Sequence, residues 1–192
     1  MHTPPSIRIL KAEQFATRAH RGQRRKYTDE PYSNHPLRVA TIVAGLGLPD
    51  DLVVAALLHD TIEDTKVTSS VIARKFGDEV ADLVVDLTDD YKAGPGTNRE
   101  TRKEKYREQV AAASAEVQTV KLADLLDNAR SIAEVAPDKD LSFVRQYLQE
   151  SWRMAISLRS GNASLRQSVL SEIEKGLAVV QARKGGRHGI TV

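Results

Sequence analysis

The amino-acid sequence predicts an all-α protein, a single-domain helical bundle of about nine helices. Apolar residues recur at helical spacing along most of the chain, and no alternating strand pattern extends over a useful length. The 192 residues are enough for one domain with a sizeable core and too few to predict two. Because aromatic residues make up only 5% of the chain, aliphatic side chains and alanine must build that core.

The first predicted helix runs from Ser6, a residue type that caps helix N-termini, to about Arg21. Its apolar positions predict a buried stripe that includes Ile7 and Leu10. The following segment, residues 22–34, is polar and is predicted to be a loop. A half-buried helix therefore leads into an exposed connection.

The next two predicted helices contain the most apolar part of the chain. Asn34 can cap the second helix, with Pro36 near its first turn. The turn LGLPD separates it from a third helix over residues 51–64, DLVVAALLHDTIED, whose middle is apolar on all sides. A helix of that kind is typical of the centre of a bundle.

The rest of the chain predicts six more helices and a tail. The segment KAGPGTN is the clearest break inside the chain, and no internal repeat is present. The domain is predicted to cover residues 1–182, and residues 183–192 are predicted to be a disordered tail. The six helices are expected at 68–77, 78–91, 99–113, 115–135, 139–159 and 163–182.

Composition excludes several classes of function. The chain has no cysteine, so any metal site must use histidine and carboxylate ligands. A net charge of +2 does not indicate a nucleic-acid partner. No segment reaches the length of a membrane span, and the N-terminus lacks a signal-peptide layout, so we expect a cytoplasmic protein without a membrane partner. The oligomeric state stays open.

Two basic segments stand out within this balanced charge. Residues 18–26 carry five cations and no acid, which suits a small anionic ligand. Residues 99–107 are also basic, but Glu100 and Glu104 dilute the charge, and this segment by itself is interpreted as a solvated helix face.

Acids and imidazoles occur where the pattern demands apolar residues. His59 and Asp60 directly follow the apolar run LVVAALL, and Glu63 and Asp64 come four residues later. If the helix continues, the second pair lies above the first on one face. A buried carboxylate beside an imidazole needs a strong partner, and a divalent metal ion is the usual one.

A second acid of this kind is Asp124, which lies inside the apolar helix VKLADLLDNAR. His35 immediately precedes the second helix, where its side chain can point inward. Taken singly, such residues are more often core pairs or salt-bridge partners, and His20 is interpreted in that way. Taken together, the His59–Asp60 pair, the Glu63–Asp64 pair and Asp124 would make a costly core without an ion. The two imidazoles and two carboxylates of His35, His59, Asp60 and Asp124 have the ligand types that suit Mn²⁺ or another divalent metal.

These segments resemble the HD superfamily, and more narrowly the alarmone hydrolase domain of RelA/SpoT-type proteins and their small stand-alone relatives. The likeness covers roughly residues 6–160, and we expect no synthetase domain after it. HD alone is a weak dipeptide, whereas several blocks in the same order are specific. The blocks are AHRGQRRKYTDEPYSNHPLRVA, LLHDTIEDT, LTDDYK, RKEKYREQ and VKLADLLDN.

The resemblance implies an activity and a site. The four residues named above would bind Mn²⁺, and Glu63 and Asp64 would be the catalytic pair that positions and activates water. The reaction would remove the 3′-pyrophosphate of (p)ppGpp or (p)ppApp, leaving a nucleoside 5′-di- or triphosphate. The implied substrate-binding residues are Arg25 and Lys26 beside the base, Asn128 near the ribose, and Lys103 and Arg107 at the 5′ phosphates.

Two positions depart from the family pattern: the first bears on the shape of the loop, and the second on the base preference. The loop before Tyr32 has Asp29 and Glu30 where the family often has glycine. Asp127 stands where relatives commonly carry histidine or tyrosine, and we expect it to face the base and to tune the choice between guanosine and adenosine.

Two other functions compete with alarmone hydrolysis. One is an HD-type nucleotidase or phosphatase that acts on another nucleotide. The other is an alarmone-binding module without turnover. The presence of both Glu63 and Asp64 argues against the binding module, because it has no use for a water-activating pair.

Overall fold

The computed structural model describes residues 6–26, 28–91, 98–135 and 140–186. The all-α prediction is confirmed: these residues form nine helices of two or more turns and a tenth of a single turn, with one isolated β-bridge between Arg24 and Pro31. None of the described helices is long and apolar enough to cross a membrane. The helices are α1 Ile7–Ala19, α2 Asn34–Gly45, α3 Asp50–Leu58, α4 Thr61–Asp64, α5 Ser69–Phe76, α6 Asp78–Leu87, α7 Arg99–Ala112, α8 Ala115–Val135, α9 Leu141–Ser157 and α10 Ala163–Gly186.

Helix α3 lies at the centre of the bundle, as its uniformly apolar sequence predicts. Every residue from Leu52 to Leu58 is buried. The helix packs against α1, α2, α6 and α8, so apolar neighbours surround it. This packing places the polar residues that follow Leu58 close to the centre of the molecule.

Helix α1 begins as predicted but turns a different face to the core. The Ser6 hydroxyl accepts a hydrogen bond from the Ile9 amide at 3.4 Å. Ile7 and Leu10, which we expected to be buried, are 73% and 43% exposed, so that expectation is wrong. The buried stripe contains Ala12 and Ala16, because these small residues let the α1 backbone approach α3 closely.

The predicted third helix does not continue to residue 64. It ends at Leu58, and α4 begins at Thr61 after a break at His59 and Asp60. The Thr61 hydroxyl, which is fully buried, donates to the Leu58 carbonyl at 2.6 Å and satisfies an acceptor at the helix end. Glu63 therefore belongs to a separate turn and is not stacked above His59 on one continuous helix.

Helix α8 crosses the bundle and is fixed at its N-terminal half by the α9–α10 turn. The Gln118 side-chain oxygen accepts hydrogen bonds from the amides of Ser160 at 2.9 Å and Gly161 at 3.2 Å. A Cβ atom on Gly161 would lie 2.9 Å from Leu122 Cδ1, so only glycine fits here without displacement. These contacts hold the helix that carries Asp124.

Two predicted helix ends differ from the structure. Helix α6 ends at Leu87 rather than near Tyr91. Helix α10 continues to Gly186, so residues 183–186, which we assigned to the tail, are helical. The remaining tail residues, 187–192, lie outside the described part of the chain.

A candidate metal centre and the adjoining cleft

The four predicted metal ligands come together at the centre of the bundle. His35 lies in the first turn of α2, His59 and Asp60 lie at the break between α3 and α4, and Asp124 lies in the middle of α8. His59 Nε2 is 3.1 Å from Asp60 Oδ2, and His35 Nε2 is 3.2 Å from Asp124 Oδ1. His35, His59 and Asp124 are buried and offer ligand atoms that lie within 4.8 Å of one another.

Each of the two histidines forms a hydrogen bond through Nδ1, which directs its other ring nitrogen, Nε2, to this centre. His35 Nδ1 donates to Asp127 Oδ2 at 2.7 Å, and His59 Nδ1 donates to the Ala56 carbonyl at 2.8 Å. His59 Nε2 is buried and has no hydrogen-bond partner among the described residues. Such bonds fix the tautomer that a metal-ligating histidine needs, so the donor set fits a divalent cation.

The electrostatics of the centre also favour a cation. Burial alone lowers the pKa of His59, but the Asp60 and Asp124 carboxylates outweigh it and raise that pKa to about 9. The carboxylates therefore attract positive charge to the point where the imidazole nitrogens meet. A bound divalent ion would satisfy the same attraction.

Further polar side chains support the ligands, and two of them, Lys121 and Arg38, were not singled out in the sequence analysis. Lys121 Nζ donates to Asp124 Oδ2 at 2.7 Å, and Asn128 donates to Asp124 Oδ1. Behind His35, the Asp127 carboxylate also accepts from Arg38. Lys121 could have been found from the sequence, because a lysine inside an apolar helix one turn before a buried aspartate indicates a pair.

The predicted catalytic pair lies at the rim of the centre. Glu63 Oε2 accepts from the Asp89 amide at 3.1 Å, and Asp64 Oδ2 accepts from the Tyr32 hydroxyl at 2.8 Å. Burial and, after it, the Asp60 charge raise the pKa of Glu63 to about 7. A carboxyl group with a pKa near neutrality can both accept and return a proton under physiological conditions.

A cleft of about 300 Å³ adjoins the centre between α7, α8 and α9. Its lining combines positive side chains with an aromatic wall, and Lys26 Nζ lies 5.3 Å from the centre of the Phe143 ring. The cations outnumber the carboxylates, so the cleft suits a ligand that carries anionic groups and a flat ring. The lining includes Lys26, Arg99, Lys103, Lys121, Asp124, Asn128, Phe143, Tyr147 and Glu150.

Three of the predicted substrate-binding residues line this cleft: Lys26, Lys103 and Asn128. Lys103 also pairs with the Asp89 carboxylate at 2.8 Å. Because the Asp89 amide donates to Glu63, this ion pair links the cleft to the proposed catalytic pair. These three residues therefore line the cleft that adjoins the candidate metal centre, and their contact with a substrate stays a prediction.

The other three lie elsewhere. Arg25 is only 7% exposed and donates to Asn128 Oδ1 at 2.7 Å, so it supports the cleft from behind and cannot stack on a base there. Arg107 pairs with Glu104 and lines a neighbouring groove between α7 and α9. Asp127 lies behind His35 and does not line the cleft, because its position on α8 turns it toward α2.

Comparison with known proteins agrees with this fold. The profile of the HD domain family matches residues 12–150, and the chain belongs to that family. The chain is 39% identical over 161 residues to the guanosine-3′,5′-bis(diphosphate) 3′-pyrophosphohydrolase MESH1 of Xenopus tropicalis, a match that covers 82% of this chain and 88% of that protein. It is 37% identical to the human MESH1 protein over 168 residues, covering 85% and 92% of the two chains.

A solved structure and a longer relative complete the comparison. The structure, of a metazoan ortholog of SpoT that hydrolyzes ppGpp, has a TM-score of 0.80 and 33% identity and covers 91% of this chain and 97% of its own. A pyrophosphohydrolase of Aquifex aeolicus is 36% identical over 143 residues, but the chain spans only 20% of its length. The resemblance drawn from the sequence motifs is therefore confirmed.

Proposed function

We propose that this chain is a metal-dependent hydrolase that removes the 3′-pyrophosphate from alarmone nucleotides, with Mn²⁺ as the metal. The observation that carries the proposal is the convergence of His35, His59, Asp60 and Asp124 beside a cationic cleft with an aromatic wall. The 3′-pyrophosphohydrolase names of relatives that align over most of their length support the same activity.

A divalent ion held by these four residues would supply Lewis-acid activation of water and phosphate. Glu63 and Asp64, which are not among the proposed ligands, would then handle the attacking water. Glu63, with a pKa near 7, is suited to take a proton from the attacking water, and Asp64 is suited to orient it. Attack of the water on the phosphorus attached to the ribose 3′ oxygen breaks the bond between that phosphorus and the 3′ oxygen. The water oxygen stays on the released pyrophosphate, a proton passes to the 3′ oxygen, and the other product is the nucleoside 5′-di- or triphosphate with a free 3′ hydroxyl.

The cleft would hold the rest of the nucleotide. Lys26 and Phe143 present a cation and a flat ring to a base, and Lys103 presents a positive charge to phosphate. Lys121 lies between the cleft and Asp124, where its charge would stabilise the pyrophosphate that departs. Guanosine and adenosine substrates, (p)ppGpp and (p)ppApp, both carry the groups that these residues recognise.

A product assay tests the proposal. The purified protein is incubated with Mn²⁺ and, in separate reactions, with ppGpp, ppApp and ordinary nucleoside 5′-triphosphates, and the products are separated by anion exchange. We expect pyrophosphate and GDP or ADP from the first two substrates, and no reaction with His59→Ala. Asp82→Asn, an exposed aspartate on α6, is the matched control and should react like the wild type.

The alternatives give different products. An HD-type phosphatase acting on other nucleotides would release phosphate from the triphosphates and leave the alarmones intact. A binding module would retain ppGpp without forming any product. Either result would overturn the proposal.

A further inference from the structure

The phenol of Tyr32 connects the two carboxylates on either side of the α3–α4 break. Its hydroxyl lies 2.7 Å from Asp60 Oδ2 and 2.8 Å from Asp64 Oδ2. The same Asp60 oxygen faces the His59 and His35 imidazoles, at 3.1 and 3.5 Å. Tyr32 belongs neither to the proposed metal ligands nor to the proposed catalytic pair. Its hydroxyl nevertheless contacts Asp60, a proposed ligand, and Asp64, a member of the pair.

The Tyr32 ring is held on several sides. It stacks on the buried His20 ring, with centroids 4.8 Å apart and planes inclined by 26°, and the Arg25 guanidinium lies 5.8 Å from its centroid. The Tyr32 amide donates to the Gln23 carbonyl at 3.0 Å, next to the β-bridge that closes this loop. The phenol oxygen therefore has a fixed position rather than a freely rotating one.

The same loop also holds the backbone of Asp64. Gln23 Nε2 donates to the Asp64 carbonyl at 2.7 Å, and Gln23 Oε1 accepts from His20 Nδ1 at 2.7 Å. His20, which the sequence presents as a structural histidine, is therefore part of a chain of contacts that ends at the proposed catalytic pair. Both the side chain and the backbone of Asp64 are fixed from this loop.

Such support is needed because α4 is a single turn and cannot fix Asp64 by itself. The turn contains only Thr61–Asp64, and Asp64 is exposed. Asp60 and Asp64 also carry like charges, which drive their side chains apart unless a donor lies between them. The neutral phenol supplies that donor: its single O–H proton is within reach of both carboxylate oxygens, which share it in a bifurcated hydrogen bond.

We propose that Tyr32 is a positioning residue that holds Asp64 in a fixed relation to Asp60, so that the water-handling group and the metal centre stay aligned. The role in turnover rests on the proposed function, whereas the contact with Asp60 does not. Tyr32→Phe removes the hydroxyl and keeps the ring that packs on His20, so the variant should fold. Tyr91→Phe, at a partly buried tyrosine after α6, is the matched control.

The first arm of the test uses Mn²⁺ alone. Metal-stripped wild type, Tyr32→Phe and Tyr91→Phe are titrated with Mn²⁺, and the free ion is measured by electron paramagnetic resonance. Tyr32→Phe should bind about 10-fold more weakly, the scale of losing a hydrogen bond to a metal-ligating carboxylate. The control should match the wild type. Equal affinity in all three proteins would overturn the contact with Asp60, whether or not the protein hydrolyses alarmones.

The second arm is a double-mutant cycle at saturating Mn²⁺ with ppGpp. Tyr32→Phe should lower kcat about 10-fold with little change in KM. In an Asp64→Asn background the same substitution should change kcat by less than about twofold, because the group that it positions is already disabled. An equal loss in both backgrounds would mean that Tyr32 acts on the fold in general, and would overturn the proposal. If the wild type itself shows no turnover, the proposed function fails together with the role of Tyr32 in turnover, and the Mn²⁺ titration alone decides whether Tyr32 supports Asp60.

Discussion

Replacing Asp127 by asparagine should weaken metal binding and leave the preference between guanosine and adenosine substrates unchanged. The Asp127 side chain is 5% exposed and accepts hydrogen bonds from His35 Nδ1 at 2.7 Å and from Arg38. Arg25 Nη2 lies 4.0 Å from the same carboxylate. Asparagine keeps the shape but is neutral and has one acceptor oxygen in place of two.

The size of the effect follows from these contacts. Loss of the carboxylate that orients a metal-ligating histidine typically costs 10- to 100-fold in metal affinity, which is about 1.4 to 2.7 kcal/mol. Charge-assisted hydrogen bonds from Arg38 are lost as well, so the free energy of unfolding should fall by about 1.5 to 3 kcal/mol. The ratio of kcat/KM for ppGpp over ppApp should not change, because Asp127 does not line the cleft.

Three measurements on one pair of variants check this reasoning. Mn²⁺ affinity, urea denaturation without metal and kcat/KM for both substrates are compared between Asp127→Asn and the exposed control Asp82→Asn. A changed substrate ratio together with normal Mn²⁺ affinity would show that Asp127 faces the base after all. That result would refute the assignment made from the structure.

Two further predictions concern Glu63 and Glu30. Glu63→Ala should retain Mn²⁺ but lower kcat by about 10²- to 10⁴-fold, because the change removes a proton acceptor and no metal ligand. Loss of Mn²⁺ from this variant would contradict the role of Glu63 as a base rather than a ligand. Hydrogen bonds from Arg38 lower the pKa of Glu30 from 4.5 to about 2. Glu30 therefore stabilises the folded state above pH 4.5, and this contribution is lost as the pH falls toward 2. After allowance for screening by solvent, Glu30→Gln should lower the free energy of unfolding by about 1 kcal/mol at pH 7 and by less than half as much near pH 3. An equal loss at both pH values in urea denaturation would argue against the ion pair.

The sequence predicts the fold class and the members of the metal centre because both depend on local pattern. An apolar helix such as α3 must be central, and acids or imidazoles inside apolar helices need a common partner. His59 and Asp124, 65 positions apart in the chain, could be placed at one site by that reasoning alone.

What the sequence could not predict depends on helix rotation and on contacts between distant segments. Asp127 is three residues from Asp124, a spacing that fits one shared face, yet α8 directs it behind His35. Ile7 and Leu10 look like a core stripe, but two alanines permit closer packing on α3. Tyr32 lies in a polar loop with no periodic signal, and only the folded chain brings it to Asp60.

The break after Leu58 illustrates the same limit on a smaller scale. Residues 51–64 contain no glycine or proline, and nothing in their sequence marks a helix end at Leu58. The end is set by the buried Thr61 hydroxyl, which takes the Leu58 carbonyl as its acceptor. The result is a short, separately supported turn that carries Glu63 and Asp64.

The most direct test of the metal centre is a reconstitution experiment. The protein is stripped with a chelator and dialysed, ppGpp is added, and pyrophosphate release is measured as Mn²⁺ is titrated in. We predict no release from the stripped protein, full recovery near one equivalent of Mn²⁺, and no recovery for Asp124→Asn or His59→Ala. Release by the stripped protein, or recovery in either variant at the same one equivalent, would contradict a hydrolase centre built on His35, His59, Asp60 and Asp124.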